Sequence, residues 1–196
     1  MSRSLCALTV AGLGISASAN AATILTFADP ATGPSTPLFT LTNGSTLTGG
    51  WSGPGLLLET PGLSAPNYPN AQFEFDPVTV TPTGFPPFYN LGPGQIRFRD
   101  SGGNLLVTIT FTGGLLTDGL GFGASIFAGY GVVFGGPIME GAPANEAFAF
   151  SFANQIGSAD NYTATASFTS SADNVPAPAT LTLLGLGGLL AARRRR

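Results

Sequence analysis

Several stretches of the chain alternate apolar and polar residues with a period of two, and phenylalanine supplies most of the apolar positions. In AQFEF, Phe73 and Phe75 share a face, with Gln72, Glu74 and Asp76 opposite. In QIRFRD, Ile96 and Phe98 point one way and Gln95, Arg97 and Arg99 the other. NLLVTITF puts Leu105, Val107, Ile109 and Phe111 together; EAFAFSFA does the same with Phe148, Phe150 and Phe152, and NYTATASF with Tyr162, Ala164, Ala166 and Phe168. Alternation over five to eight residues rich in Thr and aromatics is the mark of half-buried strands. Further strands are expected at 24–28 and near 38–42.

Glycine and proline punctuate this pattern. Asn43-Gly44 reads as a hairpin turn, and Asp100 to Asn104 as a tight loop between two strong strands. Gly113-Gly114, Asp118-Gly119 and Gly135-Gly136-Pro137 read as later breaks, and the proline-rich residues 77–94 as an excursion that cannot be a central strand. No helical period outlasts two turns. The expected body, residues 22–174, is therefore all-β: an antiparallel β-sandwich of jelly-roll type, with a closed barrel as the second choice. A transmembrane barrel is disfavoured, because the strand faces are not matched to lipid. A body of this size buries about 68–70% of its unfolded surface, enough for a core of its own.

Charge and residue types exclude several functions. Lysine and histidine are absent, and between positions 22 and 178 only Arg97 and Arg99 stand against ten acids. Such a body repels phosphate backbones, so no nucleic acid is expected as a partner. The single cysteine, Cys6, lies in the N-terminal apolar run, so the body has no thiolate, imidazole base or ordinary zinc site. Ser52 in GWSGP has no histidine to activate it, and Gly121-Phe122-Gly123 lacks the third glycine of a dinucleotide loop.

Three features remain as candidate sites. Glu74 and Asp76, two apart on one strand face, sit roughly 7 Å apart by strand rise. Glycoside hydrolases need carboxyl pairs at about 5–9.5 Å, but a solvated strand face is the plainer reading. Pairing of 72–76 with 95–99 would set these acids opposite Arg97 and Arg99. The Asp100–Asn104 loop lacks the EF-hand pattern and reads as a plain turn, although calcium on loop acids stays open. Trp51, Tyr68, Phe85, Phe88 and Tyr89 lie in or beside Pro/Gly loops. Trp51, Tyr68, Phe88 and Tyr89 are the candidates for stacking on sugar rings; aromatics so placed more often plug the end of a core.

The two ends of the chain read as addresses. Residues 1–21 form a secretory signal peptide: Arg3, an apolar run from Leu5 to about Ile15, and Ala19-Asn20-Ala21 as the A-x-A site, with cleavage expected after Ala21. Ala17-Ser18-Ala19 is a second cleavage option, and a buried N-terminal helix the competing reading. At the other end, Val175-Pro176-Ala177-Pro178 is stiff and extended. An uncharged apolar run follows at 179–192, closed by Arg193, Arg194, Arg195 and Arg196. A helix over that run spans about 21 Å, short of a ~30 Å bilayer core, with its arginines held in the cytoplasm.

This tail resembles the PEP-CTERM sorting signal, in which a V-P-x-P motif precedes a short membrane segment and an arginine cluster. Ala177 stands where that family usually has glutamate. The resemblance covers only the tail at 175–196 and the signal peptide that goes with it. It implies that an exosortase-like membrane protease reads the tail at the inner membrane and passes the protein to the cell surface or extracellular matrix. A plain C-terminal membrane tether is the alternative. It leaves the activity of the body open. The expected function is an exported, non-enzymatic surface or matrix protein with no cofactor. The alternative is a carbohydrate-binding module of the exopolysaccharide matrix, with calcium assistance left open.

Overall fold

The computed structural model describes residues 21–117, 126–141 and 143–173. The signal peptide and the tail from 174 onward lie outside the described residues, as does the Asp118-Gly119 break. Among the described residues no helix is long and apolar enough to cross a membrane; the apolar run at 179–192 is not among them.

The described chain is built from fourteen strands and is all-β, as expected. They are β1 (Ala22–Phe27), β2 (Phe39–Thr42), β3 (Thr46–Trp51), β4 (Leu57–Leu58), β5 (Tyr68–Pro69), β6 (Gln72–Pro82) and β7 (Phe88–Leu91). They continue as β8 (Gly94–Arg99), β9 (Leu105–Phe111), β10 (Gly113–Thr117), β11 (Ile126–Tyr130), β12 (Val133–Gly135), β13 (Ala144–Ser158) and β14 (Asn161–Asp173). Every pairing is antiparallel, and β4 and β5 form a separate small sheet.

The jelly-roll sandwich is not what forms. Eight strands close a ring in the order β6, β3, β2, β14, β13, β11, β10, β7, and β7 returns to β6. The closed barrel, second choice from sequence, is the architecture. The first half of β6 also carries β8, then β9 and β12, and the last half of β14 carries β1, so the sheet forks at β6 and at β14.

The ring closes because β6 is longer than its sequence suggests. Pro77 cannot donate to a ladder, which argued against a central strand through it. It sits instead at a bulge, where pairing with β3 steps from Gly49–Phe75 to Leu47–Val78. The extra residue resets the alternation, so Phe73 and Phe75 before it and Val78 and Val80 after it are all buried. The second half of β6 then pairs Val80 with Leu91 of β7 and shuts the ring. The excursion read at 77–94 shrinks to the hairpin tip at 83–87. Gly113-Gly114 is likewise no break: both glycines open β10, where a side chain on Gly113 would press on the Leu91 carbonyl at 3.2 Å.

The expected inward faces are otherwise correct. Phe27, Phe39, Phe73, Phe98, Phe150 and Phe152 are the largest fully buried side chains. Phe150 lies 4.9 Å from the Phe39 and Phe168 rings and 6.0 Å from that of Phe73. An eight-stranded barrel encloses only enough room for side chains, and here phenylalanine fills it. Each buried ring contributes about 1.5–3 kcal/mol. Leu105 departs from the expectation and is only half-buried, because the β8–β9 register slips between Phe98 and Arg99 and turns Leu106 inward. The outer face bears Glu74, Thr79, Thr81, Thr110, Ser151 and Thr169, not the apolar band of a membrane barrel.

The fold has two distinguishable ends. Ala22 pairs with Ala172, so both ends of the described body leave from one side, the tail end. At the other, the turn end, the β2–β3, β6–β7 and β13–β14 hairpins converge. The length of β14 separates the two ends by ~40 Å at strand rise.

Candidate functional site

The carboxylate pair lies on the outer face of the barrel, on the tail side of β6. As expected, β6 and β8 are neighbours, with Glu74 opposite Arg97 and Gln72 opposite Arg99. Arg97 donates Nε to Glu74 at 3.1 Å and Nη1 to Asp76 at 3.2 Å, and its Nη groups also reach Asp76 Oδ1 and Gln95. Arg99 lies 3.6 Å from Glu74. Hydrogen bonds to Asp76, then to Glu74, push the Arg97 guanidinium pKa above its ordinary value. A hydrolase needs one carboxyl held protonated near neutral pH. Here both are hydrogen-bonded to the Arg97 guanidinium.

Asp100 is engaged in its own loop. Its Oδ1 accepts the amides of Gly102 at 2.9 Å and Asn104 at 2.8 Å, and its Oδ2 accepts Asn104 Nδ2 at 2.9 Å. The Asn104 side chain, then its amide, hold this carboxyl below the usual carboxylate range. The loop turns at Ser101-Gly102, as expected. Among the described residues, no group of three or more His, Cys, Asp and Glu could hold a metal ion. The Glu146 carboxyl on β13 is pushed above the usual carboxylate range. Burial raises it, partly offset by the Phe134 amide that it accepts at 2.9 Å.

The four aromatics chosen for sugar stacking do not come together. Trp51 ends β3 beside a groove of about 520 Å³ bounded by Pro37, Gly50, Gly53 and Glu74. Its indole Nε1 is buried without a partner among the described residues. Tyr68 belongs to the small β4–β5 sheet, half-buried against the core. Phe88 and Tyr89 stand apart from both, on β7 at the turn end.

At the turn end three hairpins build a pocket of about 450 Å³, lined by Asn43, Gly44, Pro86, Phe88, Tyr89 and Asp160 among others. The Asn43-Gly44 turn forms as expected, with φ of 50° and 58°. It docks on the β13–β14 turn: the Gly44 amide donates to the Asp160 carbonyl at 2.6 Å and the Asn43 amide to Asn161 Oδ1 at 2.9 Å. A Cβ on Gly44 would lie 2.9 Å from the Asp160 Oδ1 side-chain oxygen, and the φ of 58° is one that side chains rarely adopt, so glycine suits the docked turn. The tip at 83–87 is pinned by Thr83, whose Oγ1 donates to the Phe88 carbonyl at 2.8 Å and accepts the Phe85 amide at 3.2 Å. Phe85 is 77% exposed and Phe88 42% exposed. Sequence reasoning missed Asn43 and Asp160 as site residues. Asn43 was visible only as a turn former, and Asp160 lies far away in the chain with no local signal.

The body is thus a filled barrel with an open pocket at its turn end, and the chain that leaves its tail end carries a sorting signal. Residues 174–196 match the PEP-CTERM protein-sorting motif. That match includes Val175 to Pro178 and the closing arginines. The motif implies export, a C-terminal membrane-anchoring signal and processing by an exosortase. No curated protein and no solved structure matches the chain.

Proposed function

We propose that this chain is an exported, non-enzymatic component of the cell surface or extracellular matrix, delivered there through its C-terminal sorting motif. The observation that carries the non-enzymatic part is Arg97, which binds Glu74 and Asp76 together. The acids best spaced for hydrolysis are spent on an ion pair of the barrel wall. The filled interior supports the same reading, because it leaves no lumen in which a substrate could be enclosed.

The test is an assay of the mature protein, purified from its host, against neutral and acidic oligosaccharides, read as reducing ends released. No release above the buffer blank is expected. In the host, the Glu74→Gln/Asp76→Asn double variant should reach the surface in the same amount as the parent. Turnover abolished by Glu74→Gln would overturn the reading.

A further inference from the structure

The turn-end pocket brings together several polar side chains that have no partner among the described residues. Among the described residues, no hydrogen bond or ion pair engages the Asp160 carboxylate, the Asn43 side-chain amide or the Tyr89 hydroxyl. Beside them Phe88 is 42% exposed and Tyr89 is half-buried against the core, both lining the pocket, and Phe85 is exposed on the same hairpin tip. We propose that this pocket binds a neutral glycan, with Phe88 and Tyr89 stacking on sugar rings and Asp160 and Asn43 taking the hydroxyls.

The chemistry selects the ligand class. A pyranose ring offers an apolar C–H face to the negative face of an aromatic ring and donates hydroxyls at its edge. A carboxylate and an amide beside the rings provide acceptors for those hydroxyls. The volume lies within the range of about 300–1,000 Å³ typical of small-molecule sites, where a few placed polar groups fix orientation. The pocket wall is held by the backbone bonds between the three hairpins and by Pro82 and Pro86, so little ordering is needed on binding.

Charge separates this class from two others. The body carries two arginines against ten acids, and both arginines face Glu74 on the tail side. An anionic polymer or an anionic lipid surface would meet Asp160 with no cation beside it among the described residues and be repelled. Placement agrees: β14 runs from Asn161 beside the pocket to Asp173, where the chain continues into the sorting motif. While the tail is anchored, the pocket stands ~40 Å along the barrel from the anchored end. This orientation rests on the exported, tail-anchored reading; the pocket chemistry does not.

Binding is measured by calorimetry on the mature protein from its host, with cellohexaose, maltohexaose and mannohexaose as neutral probes. An alginate oligosaccharide and phosphatidylglycerol vesicles are the anionic probes. At least one neutral probe is expected to bind. Phe88→Ala and Asp160→Asn should each weaken it about tenfold, the loss expected of an anchor side chain, and Trp51→Phe should leave it unchanged. Phe88 is exposed and Asp160→Asn is isosteric, so circular dichroism and thermal melting should be unaltered in both. Binding of no neutral probe overturns the proposal. So does binding confined to alginate or to vesicles, or neutral binding that Trp51→Phe abolishes and Phe88→Ala spares. Cleavage of a bound probe would instead overturn the non-enzymatic reading and leave the pocket assignment standing.

Discussion

The two ends of the barrel use the same residue types and leave them in opposite states. Toward the tail end, Glu74 and Asp76 are bound by Arg97, Asp100 is consumed by its own loop, and Asp173 accepts Asn145 Nδ2 at 2.7 Å. At the turn end, the side chains of Asp160 and Asn43 have no partner among the described residues. Position explains the difference. A strand residue faces a fixed cross-strand neighbour, so an acid opposite an arginine is satisfied by register alone. A turn residue has no such neighbour: its side chain folds back on its own loop, as that of Asp100 does, or is left open, as that of Asp160 is.

The comparison presumes that one core holds both ends. Phe150→Ala tests this most severely, because its ring touches those of Phe27, Phe39, Phe73, Phe148 and Phe168. A loss of about 3–5 kcal/mol is expected in urea unfolding, in a single transition seen alike by Trp51 fluorescence and by far-UV dichroism. Two separate transitions would break the comparison at its root.

Gly44→Ala sharpens it at the turn end. Placing a Cβ at φ of 58°, 2.9 Å from Asp160, should cost about 1–2 kcal/mol. The same change at Gly33, which has open space and no special φ, should cost far less. Equal effects at the two sites would show that the turns do not dock as described.

Arg97→Met sharpens it at the other end. The arginine side chain is 27% exposed and its partners more so. The loss should therefore stay near about 1 kcal/mol or below and shrink further in molar salt. A salt-independent loss of several kcal/mol would mean a buried network instead of a surface one.

The smallest effects concern pH. Burial raises the Glu146 carboxyl in the folded chain, so the folded state holds that proton more tightly than the unfolded one. Its contribution to stability therefore falls as pH rises through the folded pKa, and Glu146→Gln should flatten that part of the profile. Asp100 has the opposite sign. Its folded pKa is lowered, so its contribution is present above the unfolded pKa and lost as pH falls through the folded one. Asp100→Ala and the parent should converge in stability at strongly acidic pH. Profiles shifted in the reverse directions would contradict both assignments.

Much of the barrel wall was legible in the sequence. Alternation identified the buried faces of β8, β13 and β14, and it placed the acids of β6 opposite the arginines of β8. It could not show closure. A period-two pattern is blind to the bulge at Pro77, where one extra residue reverses the phase and lets the strand continue. The deciding contact, Val80 with Leu91, is a pairing that no local signal announces. The candidate site was legible by halves for the same reason. Phe88 and Tyr89 were visible as loop aromatics, but their company depends on hairpins brought together across the chain. Asn43 and Asn161, 118 positions apart, meet only in the closed fold.

The most direct test of the whole account is the intact mass of the protein from its native host, taken with cell fractionation. The account predicts a mature chain beginning near Ala22 and ending near Val175–Pro178, released from the inner membrane with its barrel intact. A chain that still carries Arg193–Arg196 and stays in the membrane would contradict it, and would make the tail a tether only.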